Sequence, residues 1–198
     1  VFYSISNCHK GLAGVSFGSF LIKQVAADLK ESIPNLKTFV TLSPVPTFAR
    51  WVADLPEPEK ARLQPDERQA IEIVEEPDWA SDPARAEAAE DGLLSLAARY
   101  FLVAKRPDGQ PVDPVARFHL GNGAQLHRIM HLGDVSSGGL RQAHGLMVNY
   151  LYDLPKVEER HEAYADASTI AASRAVLNLL PASASRAANT TQSAEPAA

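Results

Sequence analysis

The stretch from Val1 to Glu31 constrains this fold more than any other. It reads VFYSIS, then NCHKGLAG, then VSFGSFLIKQVAADLKE. The first block is apolar and aromatic with no breaker, which predicts a buried strand. The second carries Gly11 and Gly14 and predicts a tight loop. In the third, Phe17, Leu21 and Val25 recur every four residues with Ile22 and Leu29 beside them, the apolar stripe of a helix. Strand, glycine loop and helix together suit an anion. The first N–H groups of a helix have no internal partner, and the macrodipole adds partial positive charge there. Lys10 adds a charge at the mouth. A plain strand-to-helix turn, with glycines for compactness only, explains the same spacing.

The chain has 198 residues, enough for one domain that buries roughly 70% of its unfolded surface. Apolar content of 45% and charged content of 22% are those of a soluble globular protein. A formal net charge of −5 argues against a general nucleic-acid binder. No apolar run approaches the roughly 18 residues of a membrane span. Cys8 is the only cysteine, so no internal disulfide can form, in keeping with a reducing compartment. Val1 opens, without Met, inside a predicted strand, so the chain reads as part of a longer protein with further strands upstream.

Beyond the first helix, Ile33-Pro34-Asn35 is a breaker and Leu36–Leu42 is β-rich. Ser43-Pro44-Val45-Pro46 is expected to end that strand, because proline cannot donate to a ladder. A short helix over Thr47–Leu55 groups Phe48, Trp51 and Val52. Residues 56–82 are charged and proline-punctuated, with helical pieces near Glu67–Glu75. Asp82-Pro83 and Asp113-Pro114 are both an N-cap followed by proline at the first helical position. The first should open a helix to about Lys105, the second a short helix through Phe118 that Gly121-Asn122-Gly123 ends. Strands are predicted over Gln125–Leu132 and around Leu146, Val148, Tyr150 and Tyr152, with a loop at Gly138–Gly145 between them. A last helix is expected over about Lys156–Leu180. From Pro181 onward no large apolar residue remains, so a domain over 1–180 and a disordered tail over 181–198 are expected. Helices and strands interleave, giving a mixed α/β or α+β class.

Several groupings could carry chemistry. Gly14-Val15-Ser16-Phe17-Gly18 matches the G-x-S-x-G nucleophile elbow, with Asp134 and His144 following in the right order. An elbow serine sits directly after a strand, whereas Ser16 already lies in the helical pattern, which weighs against a hydrolase. His127 and His131, four apart, could share a face, but two histidines with only Asp134 nearby make a poor zinc site. Ser43 stands where a strand meets two prolines, and His119 just before a glycine turn. Tyr150 and Tyr152 lie on a strand near a glycine-rich loop. Such ends and turns gather functional side chains. A cap for Ser43 and a satisfied core position for His119 are the plain readings.

The strings FYSIS…GLAGVSFGSFLIK, TLSPVP, FHLGNGA and GLMVNYLYD, in this order, resemble the catalytic half of the malonyl-CoA decarboxylases. The resemblance runs from Phe2 to about Leu180 and is loosest over 54–82. It implies an acetyltransferase-like (GNAT) α/β fold, incomplete at its N-terminus and carrying extra helices. It also implies that the loop Ala13, Gly14, Val15, Ser16, Phe17, Gly18, Ser19 contacts the pyrophosphate of coenzyme A. Ser43 and His119 match the catalytic serine and histidine, and Ser4 and Tyr152 match residues lining the malonyl pocket. Some relatives have glutamate where this chain has Ser16, so an orienting carboxylate would have to come from elsewhere. The implied reaction converts malonyl-CoA to acetyl-CoA and CO2 with no metal or organic cofactor. Homo-oligomers of the longer protein and a bacterial cytoplasm complete the expectation. An N-acetyltransferase of the same fold and a non-catalytic CoA-binding module are the alternatives, since fold alone does not fix function.

Overall fold

A computed structural model describes Val1–Tyr3, residues 17–182 and Ala184, with the backbone course alone for Tyr3 and residues 17–21. β1 (Phe2–Tyr3) lies parallel to β2 (Thr41–Pro44), pairing Phe2 with Thr41 and Tyr3 with Leu42. A parallel neighbour requires a crossover, and α1 (Phe17–Ser32) supplies it, burying Ile22 and Ala26. The order of the four-stranded sheet is β1-β2-β4-β3, with β4 (Met147–Leu151) antiparallel to both β2 and β3 (Gln125–Met130). Period-two alternation holds along β4: Leu146, Val148, Tyr150 and Tyr152 are all at most 1% exposed.

α2 (Phe48–Ala53), α3 (Glu57–Lys60) and α4 (Pro65–Glu75) follow in the chain; α2 and α4 pack against α5 (Pro83–Leu102), which meets the sheet at β3. The long α5 starts where the sequence predicts. Asp82 accepts from the backbone N–H groups of Ala84 and Arg85, and Pro83 needs no donor partner at that position. It buries Leu93, Leu96, Ala97, Tyr100 and Phe101. Buried Glu67 ties α4 to α5: it accepts from Ser95 Oγ at 2.6 Å and Arg99 Nε at 2.5 Å while capping its own helix through Gln64 N. Among the described residues, short 3₁₀ turns at Trp79–Ser81 and Leu154–Lys156 add to the connections.

Three boundaries differ from the sequence reading. The strand expected over Leu36–Leu42 forms only from Thr41 and runs on through Ser43 and Pro44, which pair with Val148 and Met147. Proline is tolerated there as the last rung. The loop expected over Gly138–Gly145 contains a helix, α7 (Ser137–Ala143), capped by Ser136 Oγ on Gly139 N and ended by His144 at φ +48°. The single helix expected over Lys156–Leu180 is two, α8 (Val157–Ala167) and α9 (Arg174–Leu177). Between them the chain runs beside the edge of β3: Leu126 N donates to Ala171 O and Ser173 N to Leu126 O. The unmet backbone groups of that edge outcompete continued helix, and Ser168 at φ +50° makes the break. Ala184, 4% exposed, packs with Ala98 and Leu180. Ser4 to Ser6, predicted to extend β1, lie outside the described residues. Among the described residues no helix is long and apolar enough to cross a membrane.

Candidate active site

Three elements converge on one polar cluster inside the sheet. β2 puts Thr41 and Ser43 on the same face, 0% and 3% exposed, because residues two apart share a face. β4 and the residue after it do the same for Tyr150 and Tyr152, each 1% exposed. The third element is α6 (Pro114–Gly121), which carries His119, 2% exposed, in its last turn. Asp113 caps α6 through Ala116 N at 2.7 Å, and Gly123 at φ +76° turns the chain away from it. A Cβ at Gly123 would fall 2.0 Å from Val157 O, so only glycine lets this turn seat against α8.

His119 is held on both nitrogens and on one face. Its ring stacks on Tyr150 at 4.4 Å between centroids and 22° between planes. Nε2 lies 3.2 Å from Ser43 Oγ, and Nδ1 lies 2.9 Å from Tyr152 Oη. Ser43 Oγ donates to Thr41 Oγ1 at 2.9 Å, and Thr41 Oγ1 also accepts from Tyr150 N. With its proton committed to Thr41, Ser43 offers Nε2 a lone pair, so the network assigns the imidazole proton to Nε2. Nδ1 then accepts from Tyr152, whose phenol burial keeps protonated by raising its pKa. Asn122, 7% exposed, opposes that rise from beside Tyr152; its Nδ2 falls short of hydrogen-bond geometry with any described residue. Burial pushes the His119 pKa down to about 4, so the ring is neutral at physiological pH. The result is a neutral imidazole with its N–H fixed on a serine hydroxyl; both protons are used inside the network, on Ser43 and Thr41, and an oxyanion would draw them to itself.

His119 therefore touches both Ser43 and Tyr152, residues far apart in sequence. Ser4 and Ala13–Ser16 lie outside the described residues, and Phe17, Gly18 and Ser19 form the first turn of α1. The elbow partners do not meet: Asp134 accepts from Ser136 N, and the His144 ring packs edge-on against Phe48. His131 lies against Trp79, and among the described residues no three His, Cys, Asp or Glu side chains cluster to hold a metal. Thr41 and Asn122 are members of the cluster that sequence reasoning missed. Thr41 was within reach of it, since it stands two residues before Ser43 on the same strand. Two surface grooves, of about 810 and 680 Å³, run beside the end of α5, and neither is lined by Ser43 or His119.

Comparison with known proteins bears on this arrangement. The family model for the malonyl-CoA decarboxylase C-terminal domain matches residues 1–190. The mitochondrial malonyl-CoA decarboxylases of Anser anser anser and Rattus norvegicus are 35% and 34% identical over 91% of this chain. The chain spans about 40% of their length (39% and 40%). Crystal structures of malonyl-CoA decarboxylase from Agrobacterium vitis and Rhodopseudomonas palustris superpose with TM-scores of 0.84 and 0.83, at 56% and 53% identity. They align with 91% and 90% of this chain, and with 44% and 41% of their own. The acetyltransferase-like α/β class expected from the sequence is the class of this fold. A match over nearly the whole length, with the same fold, places this chain in the malonyl-CoA decarboxylase family, as a C-terminal domain.

Proposed function

We propose that the protein carrying this chain decarboxylates malonyl-CoA to acetyl-CoA and CO2, with Ser43 and His119 as its catalytic residues. The observation that carries the reading is the buried line Tyr152–His119–Ser43, which fixes a neutral imidazole N–H beside a hydroxyl. Breaking the bond between the α-carbon and the carboxylate leaves its electron pair on the α-carbon, delocalised onto the thioester oxygen. A donor aimed at that oxygen stabilises the transition state more than the ground state, worth roughly 3–4 kcal/mol for one good donor. His119 Nε2–H fills that role. Ser43 hydrogen-bonds the malonyl group and passes a proton to the α-carbon, which is a stronger base than an alkoxide. Its oxygen is reprotonated from Nε2 while Tyr152 Oη passes its proton to Nδ1, so the imidazole stays neutral; solvent reprotonates the phenolate, and one proton is consumed per turnover.

Ser4 and Tyr152 line the malonyl pocket in this reading, and Ala13–Ser19 holds the pyrophosphate of coenzyme A. Support for the latter is that α1, a helix of 16 residues, begins within that segment and offers its free N–H groups there. The thioester itself accepts the electron pair, so no cofactor enters the scheme. We read the longer protein as a homo-oligomer. A bacterial cytoplasm is the proposed compartment, on 53–56% identity to bacterial enzymes against 34–35% to proteins named mitochondrial.

The test uses the full-length protein and malonyl-CoA labelled at the free carboxylate. Equal amounts of labelled CO2 and acetyl-CoA are expected, and His119→Ala should lower kcat about a hundredfold or more. Near-normal turnover by that variant sinks the assignment. Acetyl transfer to an amine without CO2 release would make the protein an acetyltransferase, and tight CoA binding without turnover a binding module.

A further inference from the structure

Behind the reacting pair lies a second buried polar chain that the chemistry does not use. Asp113 is wholly buried, and its two carboxylate oxygens are divided between two tasks. Oδ1 caps α6 through Ala116 N at 2.7 Å, and Oδ2 accepts from Tyr100 Oη at 3.0 Å. Tyr100, also wholly buried, has one proton, spent on Asp113, so Thr47 Oγ1 must donate to Tyr100 Oη across the 2.5 Å between them. Thr47 precedes α2 yet makes no side-chain cap bond, because its hydroxyl is turned to Tyr100.

These bonds close a ring. From Thr47 the chain runs back through Pro46, Val45 and Pro44 to Ser43, a link stiffened by two fixed proline φ angles. From Asp113 it runs along α6 to His119, and Ser43 meets His119 at 3.2 Å. The ring of Tyr100 is wedged against Phe48 and Trp51 of α2, with centroids 5.5 and 5.2 Å away. The three side chains thus join the segment after Ser43, the long helix α5 and the start of the helix bearing His119. A serine or asparagine would cap α6 without burying a charge. A carboxylate adds a second acceptor, which an asparagine at the same place would replace with a donor.

We propose that Thr47, Tyr100 and Asp113 are positioning residues that set the separation and aim of Ser43 and His119. The assignment rests on the preceding reading of those two residues as the reacting pair. Small misplacements of such a pair carry large kinetic costs. The full-length protein is assayed for malonyl-CoA turnover as Tyr100→Phe, which keeps the ring, and as Thr47→Val and Thr47→Ser. Tyr100→Phe and Thr47→Val should each lower kcat by about tenfold, with KM held within about twofold. Thr47→Ser, which keeps the hydroxyl, should restore kcat. In a His119→Ala background neither Tyr100→Phe nor Thr47→Val should lower kcat further, because nothing is left to aim.

Unchanged kcat with only a lowered Tm would reduce the three residues to packing and overturn the proposal. An undiminished loss in the His119→Ala background would overturn it too, by showing action through some other group. Should Tyr100→Phe fail to fold, the Thr47→Val and Thr47→Ser comparison decides alone at a less buried hydroxyl. Normal turnover by His119→Ala alone would instead remove the proposed function, a failure visible without any of these variants.

Discussion

At the scale of single residues, the protonation of His119 has a consequence for stability. Its pKa is about 4 in the folded protein against an ordinary 6.5, because burial disfavours the charged ring. Above about pH 6.5 the ring is neutral in both states and folding is not penalised. Between about 6.5 and 4 the unfolded chain takes up a proton that the folded one refuses, so stability falls as pH falls. At 1.36 kcal/mol per unit this amounts to about 3 kcal/mol by pH 4. His131 and His144, also lowered by burial, act with the same sign. Asp113 acts against them: burial raises its pKa above 3.8, so its folded state is relieved as pH drops toward that range. Urea unfolding of the full-length protein from pH 7 to 4.5 should show a steeper loss than in His119→Gln. Parallel curves would contradict a buried neutral His119. The same protonation places the acid limb of kcat/KM for this group nearer pH 4 than 6.5.

At the scale of elements, the layer behind the site depends on how closely α4 and α5 approach. Gly92, in the middle of α5, is where they touch: a Cβ there would lie 2.2 Å from Asp66 O and 2.6 Å from Ala70 Cβ. Exchanging glycine for alanine inside a helix normally stabilises by about 0.5–1 kcal/mol. Here the sign should reverse, since the obstructing atoms are backbone and a Cβ, neither of which can swing aside. Gly92→Ala is expected to cost roughly 1–3 kcal/mol by urea unfolding, the range for overpacking a well-filled core. A gain in stability would show that α4 and α5 can separate freely. By contrast Gly109, at φ +79° with open space around it, should lose only the roughly 1–2 kcal/mol of left-handed backbone strain on changing to alanine. The caps that open α5 and α6 were readable as Asp-Pro pairs because capping is a contact between near neighbours. That one of these caps also reaches Tyr100, 13 residues back, was not.

At the scale of the whole molecule, the proposed chemistry makes a prediction about cofactors. If the thioester alone receives the electrons, dialysis of the full-length protein against EDTA should leave kcat within about twofold. Activity that is lost and then restored by a divalent cation would call for a Lewis acid at the thioester oxygen. Local signals, all within a few residues of one another, were enough to predict α1, α2, α5, α6 and the strands β3 and β4. The family strings named Ser43, His119 and Tyr152 as a set. Local signals misplaced whatever depended on a distant edge: the break between α8 and α9 exists because β3 offers backbone partners to residues 171–173. The start of β2 shifted for a similar reason, since a β-rich composition describes a preference and the ladder with β4 decides which residues pair. The sequence by itself determined most of the longer elements, the Asp-Pro caps of α5 and α6 and the residue types capable of the chemistry. Only the tertiary structure decided that a serine on β2, a histidine on α6 and a tyrosine after β4 are joined by two hydrogen bonds, and on which nitrogen the imidazole carries its proton. Those outcomes depend on contacts between residues 33 to 76 positions apart, which no local preference encodes.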